Sequence, residues 1–289
     1  MTSLQMPEVT NHIESLDQNI IVRKVKQSGQ KRIEKLSIII PTYNEGKTIL
    51  LVLDKIKAVK LIKNIEKEII IVNDASEDQT EELINNFVSN NSLLLIKYVR
   101  HEINQGKGSA IQTGISHATG EFLIIQDADL EYDPFEYNTL LKPILHGFAD
   151  VVYGSRFMGG NPHRILFFWH TIGNWFLTFL SNMSLNMNLT DMETGYKLFK
   201  TSIIQCIDLK EKRFGFEPEV TAKLAKVVGV RIYEVGISYY GRTIKEGKKI
   251  KWKDGIRTIF CIFKYGILIR NTFKKAKRKK LRPVNSVLL

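Results

Sequence analysis

Short apolar runs of strand length recur through the first half of the chain: LSIII (36–40), EIIIVN (68–73), LLLIKYV (93–99), EFLIIQ (121–126) and DVVYGS (150–155). Between the first four lie GKTILLVLDKIKAV, DQTEELINNFVS and GKGSAIQTGISHA, which read as helices, with Ser76 and Asp78 available to cap the second. Near-continuous apolar strands alternating with helices predict an α/β fold, a mostly parallel sheet covered on both faces. Residues 1–34 are polar and aperiodic, and predict a flexible tail.

The second half carries two patterns of another kind. Residues 165–190 contain no Asp, Glu, Lys or Arg, yet His170, Asn174, Thr178, Ser181 and Asn182 recur at helical spacing opposite Trp169, Ile172, Phe176, Phe179, Leu180 and Met183. A polar stripe against an aromatic one suits a helix at an interface better than one surrounded by lipid. Residues 252–270 place Ile256, Ile259, Phe260, Phe263 and Ile267 on one side and Lys253, Arg257 and Lys264 on another, and KKAKRKKLR (274–282) follows. An amphipathic helix leading into a basic cluster predicts peripheral attachment to an anionic membrane surface.

Charge sharpens this. The chain of 289 residues carries a net +12. From Arg242 to Arg282 sixteen Lys/Arg face two acids, which leaves 26 basic against 28 acidic residues elsewhere. The excess therefore sits in the last fifth of the chain, where it would meet phosphate. Aromatic residues are not interleaved with these lysines as base-stacking platforms, so no nucleic-acid partner is expected. Cys206 and Cys261 read as small core residues. The opening MTSLQMPEVTNHIESLDQNI has no basic stretch followed by an apolar one, so the expected location is cytoplasmic, peripheral on the cytoplasmic face of the membrane.

Ligands of parallel sheets collect at the carboxyl ends of the strands, and three ends here are polar: PTYNE (41–45), NDAS (73–76) and DAD (127–129). PTYNEG is not the G-x-G-x-x-G of a dinucleotide site. HEINQGKGSA lacks the first glycine of a P-loop and has Gly108 where one needs Ser/Thr. Asp127 and Asp129, with Glu131 two residues on, would repel one another without a cation between them. Hard oxygen ligands at that spacing suit a divalent metal, Mg²⁺ or Mn²⁺, shared with substrate phosphates.

SIIIPTYNE, VNDASEDQT, NQGKGSAIQTG, QDADLEYDP and YGSRF stand in the order seen in family 2 glycosyltransferases. With TDMETGYKLFK, FGFEPEVTAKL and EVGISYYGRTIKEGKKI, the chain most resembles the dolichyl- and undecaprenyl-phosphate sugar transferases, over residues 36–255. The resemblance implies a GT-A domain at 35–250, followed by an amphipathic helix and basic tail at 251–289. It also implies an inverting reaction, a nucleotide-sugar donor (GDP-mannose or a UDP-sugar), a divalent metal and a lipid-phosphate acceptor. Carried over to matching positions, Pro41, Tyr43, Glu45, Asp74, Lys107, Asp127 and Ala128 would hold the donor, with Asp74 accepting from the base ring and the glycines beside Lys107 allowing close approach. Asp127, Asp129 and Glu131 would hold the metal, although Glu131 stands where a glutamine is expected. Asp129, Arg156, Arg242 and Lys249 would act in catalysis, the cations gripping phosphate, with Arg164 a further candidate.

A lipid phosphate is already an anion at neutral pH and needs no general base. Transfer to a sugar hydroxyl of a polysaccharide or glycolipid is the alternative, and would need one, with Asp191 or Glu193 the first candidates. A sugar nucleotidylyltransferase would want a glycine-rich first loop that PTYNEG is not. A non-catalytic nucleic-acid-binding module would leave the strand-end acids unexplained. No histidine has metal-ligand spacing, so none is assigned chemistry.

Overall fold

A computed structural model describes residues 33–160, 162, 164, 168–243 and 252–268. The expected tail, Lys249 and the basic cluster at 274–282 lie outside them. Five strands form where the apolar runs predict them: β1 (Lys35–Thr42), β2 (Glu66–Asn73), β3 (Leu95–Arg100), β4 (Phe122–Ile125) and β5 (Val151–Ser155). The intervening helices are α1 (Ile49–Ala58), α2 (Thr80–Asn90) and α3 (Lys107–His117), with α4 (Tyr137–Leu145) between β4 and β5. After β5 come α5 (Phe168–Leu185), β6 (Lys197–Lys200), α6 (Phe216–Ala225), β7 (Ile232–Gly236) and α7 (Trp252–Phe263), which runs on through a π-helical turn, Lys264–Leu268.

The strand order is β3-β2-β1-β4-β6-β5-β7. Parallel pairing joins β3, β2, β1 and β4, and β5 to β7, while β6 runs antiparallel to both β4 and β5. All strands but β6 therefore point the same way. The apolar strand runs exist because both faces are covered: Ile38, Ile40, Ile69, Ile71 and Ile124 pack toward one layer with α1, α2 and α4. Their alternate neighbours Ile39, Ile70, Val72, Leu123 and Ile125 join α3 and α6 in the other. Each such isoleucine or leucine, fully buried, contributes about 1.5–3 kcal/mol.

Candidate active site

A sheet in which every strand but one points the same way gathers its connecting loops along one edge. The ends of β1, β2, β3, β4, β5 and β7 carry Tyr43 and Glu45, Asp74, His101, Asp127 to Glu131, Arg156, and Tyr239 with Arg242. Because β6 is reversed, the segment entering it, Asp191 to Gly195, arrives at that same edge. Together these walls enclose a cleft of about 600 Å³, lined among others by Pro41, Tyr43, Glu45, Asp74, Lys107, Asp127, Ala128, Asp129, Glu131, Arg156 and Arg242. Every described residue among the expected donor, metal and catalytic groups lies there except the further candidate Arg164; Lys249 falls outside the described residues.

The loops after β1 and β2 are laced together. Main-chain N–H groups of Asn44, Glu45 and Gly46 donate to Ser76 Oγ (3.0 Å), Thr80 Oγ1 (2.9 Å) and Asp78 Oδ2 (3.0 Å), and Glu77 N–H donates back to Asn44 Oδ1 (2.9 Å). Ser76 thus ties the two loops rather than capping α2, while Asp78 Oδ1 receives the Thr80 N–H at 3.0 Å. Each of the three polar strand ends holds one non-glycine residue in the left-handed region: Asn44 (φ 51°), Ala75 (φ 58°) and Leu130 (φ 64°). Left-handed backbone costs a residue such as Ala75 or Leu130 about 1–2 kcal/mol, a strain that concentrates at functional loops.

Asp74 is buried and turned toward the loop after β3. Its Oδ1 accepts from Gln105 N–H (2.9 Å) and lies 2.7 Å from His101 Nδ1, and its Oδ2 accepts from Gly106 N–H (2.6 Å). Only Oδ2 keeps a spare lone pair toward the cleft, so the expected role of accepting from a donor base narrows to that one oxygen. His101, given no chemistry from its spacing, proves to position Asp74, with Nε2 2.9 Å from Thr113 Oγ1.

The three acids of DADLE do not converge on one point. Among the described residues no group of three or more His, Cys, Asp or Glu could hold a metal by itself. Asp127 is gripped by Lys107, whose Nζ lies 2.8 and 2.9 Å from its two oxygens. Arg242 reaches Asp129 Oδ2 with Nη2 (2.6 Å) and Glu45 Oε2 with Nη1 (3.7 Å). Glu131 is spoken for: Oε1 accepts the Arg242 main-chain N–H (2.8 Å) and Oε2 the Tyr239 hydroxyl (2.8 Å). The expected third metal ligand is therefore committed to holding the loop after β7. Burial, then the charges of Asp127 and Glu131, push the Asp129 carboxyl up to about 7 against the pull of Arg242. Burial also works against the Lys107 ammonium, but Asp127 and Glu217 hold it above its ordinary value. Eight acids and four basic residues line the cleft. Its own cations do not balance it, so a diphosphate entering it needs further positive charge.

Arg156 and Asp191 are a pair. Nε and Nη2 of the guanidinium meet Asp191 Oδ2 and Oδ1 at 2.6 and 2.7 Å, and the Arg156 main-chain N–H adds a third bond at 3.1 Å. Asp191 is fully buried, and although burial opposes its charge, Arg156 holds its carboxyl below the usual range. A carboxylate so paired is a poor base, which removes Asp191 as the candidate for activating a hydroxyl. Arg164 bonds the carbonyl of Gly241 through Nη1 (3.1 Å) and supports the Arg242 loop.

The polar stripe of α5 faces this pair. Asn174 Nδ2 donates to Asp191 Oδ1 (3.2 Å), Thr178 Oγ1 accepts from Met192 N–H (3.2 Å), and Asn182 bonds both N–H and C=O of Leu189 (2.9 and 2.8 Å). The opposite face, Phe168, Trp169, Ile172, Trp175, Phe176, Phe179 and Met183, is exposed. The helix is thus amphipathic, and among the described residues no helix is long and apolar enough to cross a membrane. Beside it, α7 exposes Ile256, Phe260 and Phe263. Two of its basic residues, Arg257 and Lys264, converge with the Tyr265 hydroxyl on Glu211, at 2.7, 2.9 and 2.7 Å.

Glu211 belongs to a loop that explains the glycines of GKG. A Cβ on Gly106, which holds φ 98°, would stand 2.6 Å from the Lys212 carbonyl oxygen, and one on Gly108 would stand 2.4 Å from that of Glu211. These glycines admit the main chain of residues 211–213, and Gly106 with Lys107 also lines the cleft. Gly195, which the sequence reading passed over, serves likewise, since a Cβ there would meet Asp127 Oδ2 at 2.7 Å.

Known proteins share this design. The chain is 29% identical over 252 residues to a dolichyl-phosphate beta-glucosyltransferase of Trichomonas vaginalis, covering 81% of this chain and 74% of that one. It is 29% identical over 221 residues to the undecaprenyl-phosphate mannosyltransferase of Micrococcus luteus, covering 73% and 85%. Among solved structures, glucosyl-3-phosphoglycerate synthase of Mycobacterium tuberculosis, in complex with Mn²⁺, UDP and glucosyl-3-phosphoglycerate, superimposes with a TM-score of 0.61 at 17% identity, covering 91% of this chain and 86% of that one. That likeness establishes the fold, a GT-A architecture. Residues 37–208 match the family described as glycosyl transferase family 2, and the chain, a glycosyltransferase, belongs to it.

Proposed function

We propose that this glycosyltransferase moves a hexose from a nucleotide-sugar to a polyprenyl phosphate at an anionic membrane surface, with a divalent metal and inversion at the anomeric carbon. One observation carries the choice of acceptor: the helix whose polar stripe holds the Asp191 loop of the cleft turns its aromatic face to solvent. Such a face is stable against a lipid surface, and it would bring the cleft within reach of a lipid headgroup.

Asp129 and Asp127 offer hard oxygens to an ion that takes one or two carboxylates and fills the rest of its shell with phosphate oxygens and water. That donor set fits Mg²⁺ or Mn²⁺; Glu131 is left out because it holds the loop after β7, through the Arg242 main-chain N–H and the Tyr239 hydroxyl. Bound there, the ion would neutralise charge on the departing nucleoside diphosphate. Lys107 and Arg242, which pair with Asp127 and Asp129, would with a metal bound there be available to phosphate oxygens. A polyprenyl phosphate, with a second pKa near 6 by analogy with phosphoserine, attacks as an anion, so no general base is required. Arg156 keeps its charge beside the cleft through Asp191, and Lys249 would join by the resemblance stated above.

The test mixes the protein with radiolabelled nucleotide-sugars, Mn²⁺ and polyprenyl phosphate, then extracts with organic solvent. Labelled organic-soluble product is expected. Product found only in the aqueous phase would move the acceptor to a sugar hydroxyl.

A further inference from the structure

Among the described residues Glu193, an acid of the cleft, forms no ion pair. It lines the cavity, and its Oε1 is shielded from water without a hydrogen-bond partner. The cations around it are committed elsewhere. Lys197 Nζ donates to the carbonyls of Met192 (2.9 Å) and Thr194 and sits 4.7 Å over the Tyr153 ring. Arg156 is bonded twice through its guanidinium to Asp191, and Lys107 twice to Asp127. The charges that reach Glu193 from its neighbours are those of Glu217 on α6 and Asp191 on its own loop, against Lys197 on β6 and Arg156 after β5. An isolated carboxylate is costly to bury, and a buried polar oxygen without a partner calls for one from a ligand.

We propose that Glu193 acts as an uncharged carboxylic acid that binds the donor's hexose, its O–H donating to, and its carbonyl oxygen accepting from, a sugar hydroxyl. A hydroxyl offers the complementary pair of functions, whereas diphosphate oxygens are served better by Lys107 and Arg242. Glu193 is then a determinant of which sugar is accepted. Burial, then Glu217, push its carboxyl up to about 8, so the acid form prevails at neutral pH and ionises above that value. This assignment rests on the glycosyl-donor reading above and extends it to the sugar.

The experiment pairs calorimetry with kinetics. Binding of UDP-glucose and GDP-mannose, and of UDP and GDP, is measured with Mn²⁺ for the wild type, Glu193→Gln and Glu193→Ala, so no acceptor is involved. Loss of the hydrogen-bonding group in Glu193→Ala is expected to weaken the nucleotide-sugar about tenfold, and to leave the nucleoside diphosphate within about twofold. Glu193→Gln, which keeps a donor and an acceptor, should stay within about threefold of wild type at pH 7. Its kcat/KM should also hold level through pH 9, where that of the wild type falls about tenfold per unit above pH 8. Equal impairment of the Gln and Ala variants, equal weakening of nucleoside diphosphate and nucleotide-sugar, or an Ala variant indistinguishable from wild type would overturn the role of Glu193 while leaving the enzyme's reaction intact. A wild type that binds no nucleotide-sugar overturns both readings.

Discussion

In the cleft, Glu45, Asp127, Asp129 and Glu131 are each largely shielded from water, with side-chain exposures of 11, 14, 15 and 12%. On α5, Trp169, Trp175 and Met183 are 78, 62 and 63% exposed. The two regions depart from ordinary burial in opposite directions, and each departure must be compensated. The cleft compensates within the chain: Lys107 holds Asp127, and Arg242 bridges Glu45, Asp129 and Glu131. The flank has no such partner among the described residues, and Asn174, Thr178 and Asn182 on its other side hold residues 189–192. Charge pairs that would exchange for a metal and phosphates suit the proposed site of turnover; an aromatic face that no described residue covers suits the proposed surface of attachment.

The contrast can be broken from either side. The largest effect is expected in the cleft: Asp129→Asn should lower kcat/KM on the order of 10³-fold, as loss of a group stabilising transition-state charge does. Its melting temperature should not fall, since the substitution relieves repulsion from Asp127 and Glu131. Next comes the joint between the two regions. Glu211→Gln leaves Arg257, itself 52% exposed, and Lys264 without their carboxylate and should cost roughly 1–2 kcal/mol in denaturant unfolding at pH 7. Burial opposes the Glu211 charge, but Tyr265, Arg257 and Lys264 together bring its carboxyl down to about 2 from 4.5. A depressed carboxyl stabilises the fold above its unfolded pKa and loses that contribution as pH falls toward the folded one. Wild type and Glu211→Gln should therefore converge in stability between pH 4.5 and 2, and parallel curves would deny Glu211 this role. The smallest effect belongs to the flank: Trp175→Ser or Phe179→Ser should each weaken flotation with anionic liposomes about tenfold. Neither should lower the melting temperature, because both rings already face water. Reduced stability with unchanged flotation would make this face part of the fold rather than of a membrane contact.

Much of the cleft was readable from sequence because parallel strands announce themselves. A run such as EFLIIQ must be buried on both faces, so the acids after it have to emerge at the sheet's edge. The strands β6 and β7 were not read: β6 has four residues, two of them lysines, and its direction depends on pairing with β4 and β5. That reversal brings Asp191 and Glu193 to the cleft, so the division of work between them was hidden. Asp191 is taken by Arg156, and Glu193, among the described residues, forms no ion pair. The stripes on α5 and α7 were visible from periodicity, but their direction was not. Hydrophobic spacing cannot say that Asn174 and Thr178 point inward, nor that Arg257 and Lys264 bind Glu211. The glycines of GKG were read as room for a ligand; that they admit the loop at 211–213, a hundred residues on, was not visible.

The most direct test of charge exchange in the cleft is calorimetric titration of UDP-glucose and GDP-mannose into the wild type and Asp129→Asn, with and without Mn²⁺. Tight binding of one donor that requires Mn²⁺ in the wild type, and is lost in Asp129→Asn, is the expected result. Binding that is equally tight without the metal, or unchanged by Asp129→Asn, would contradict it.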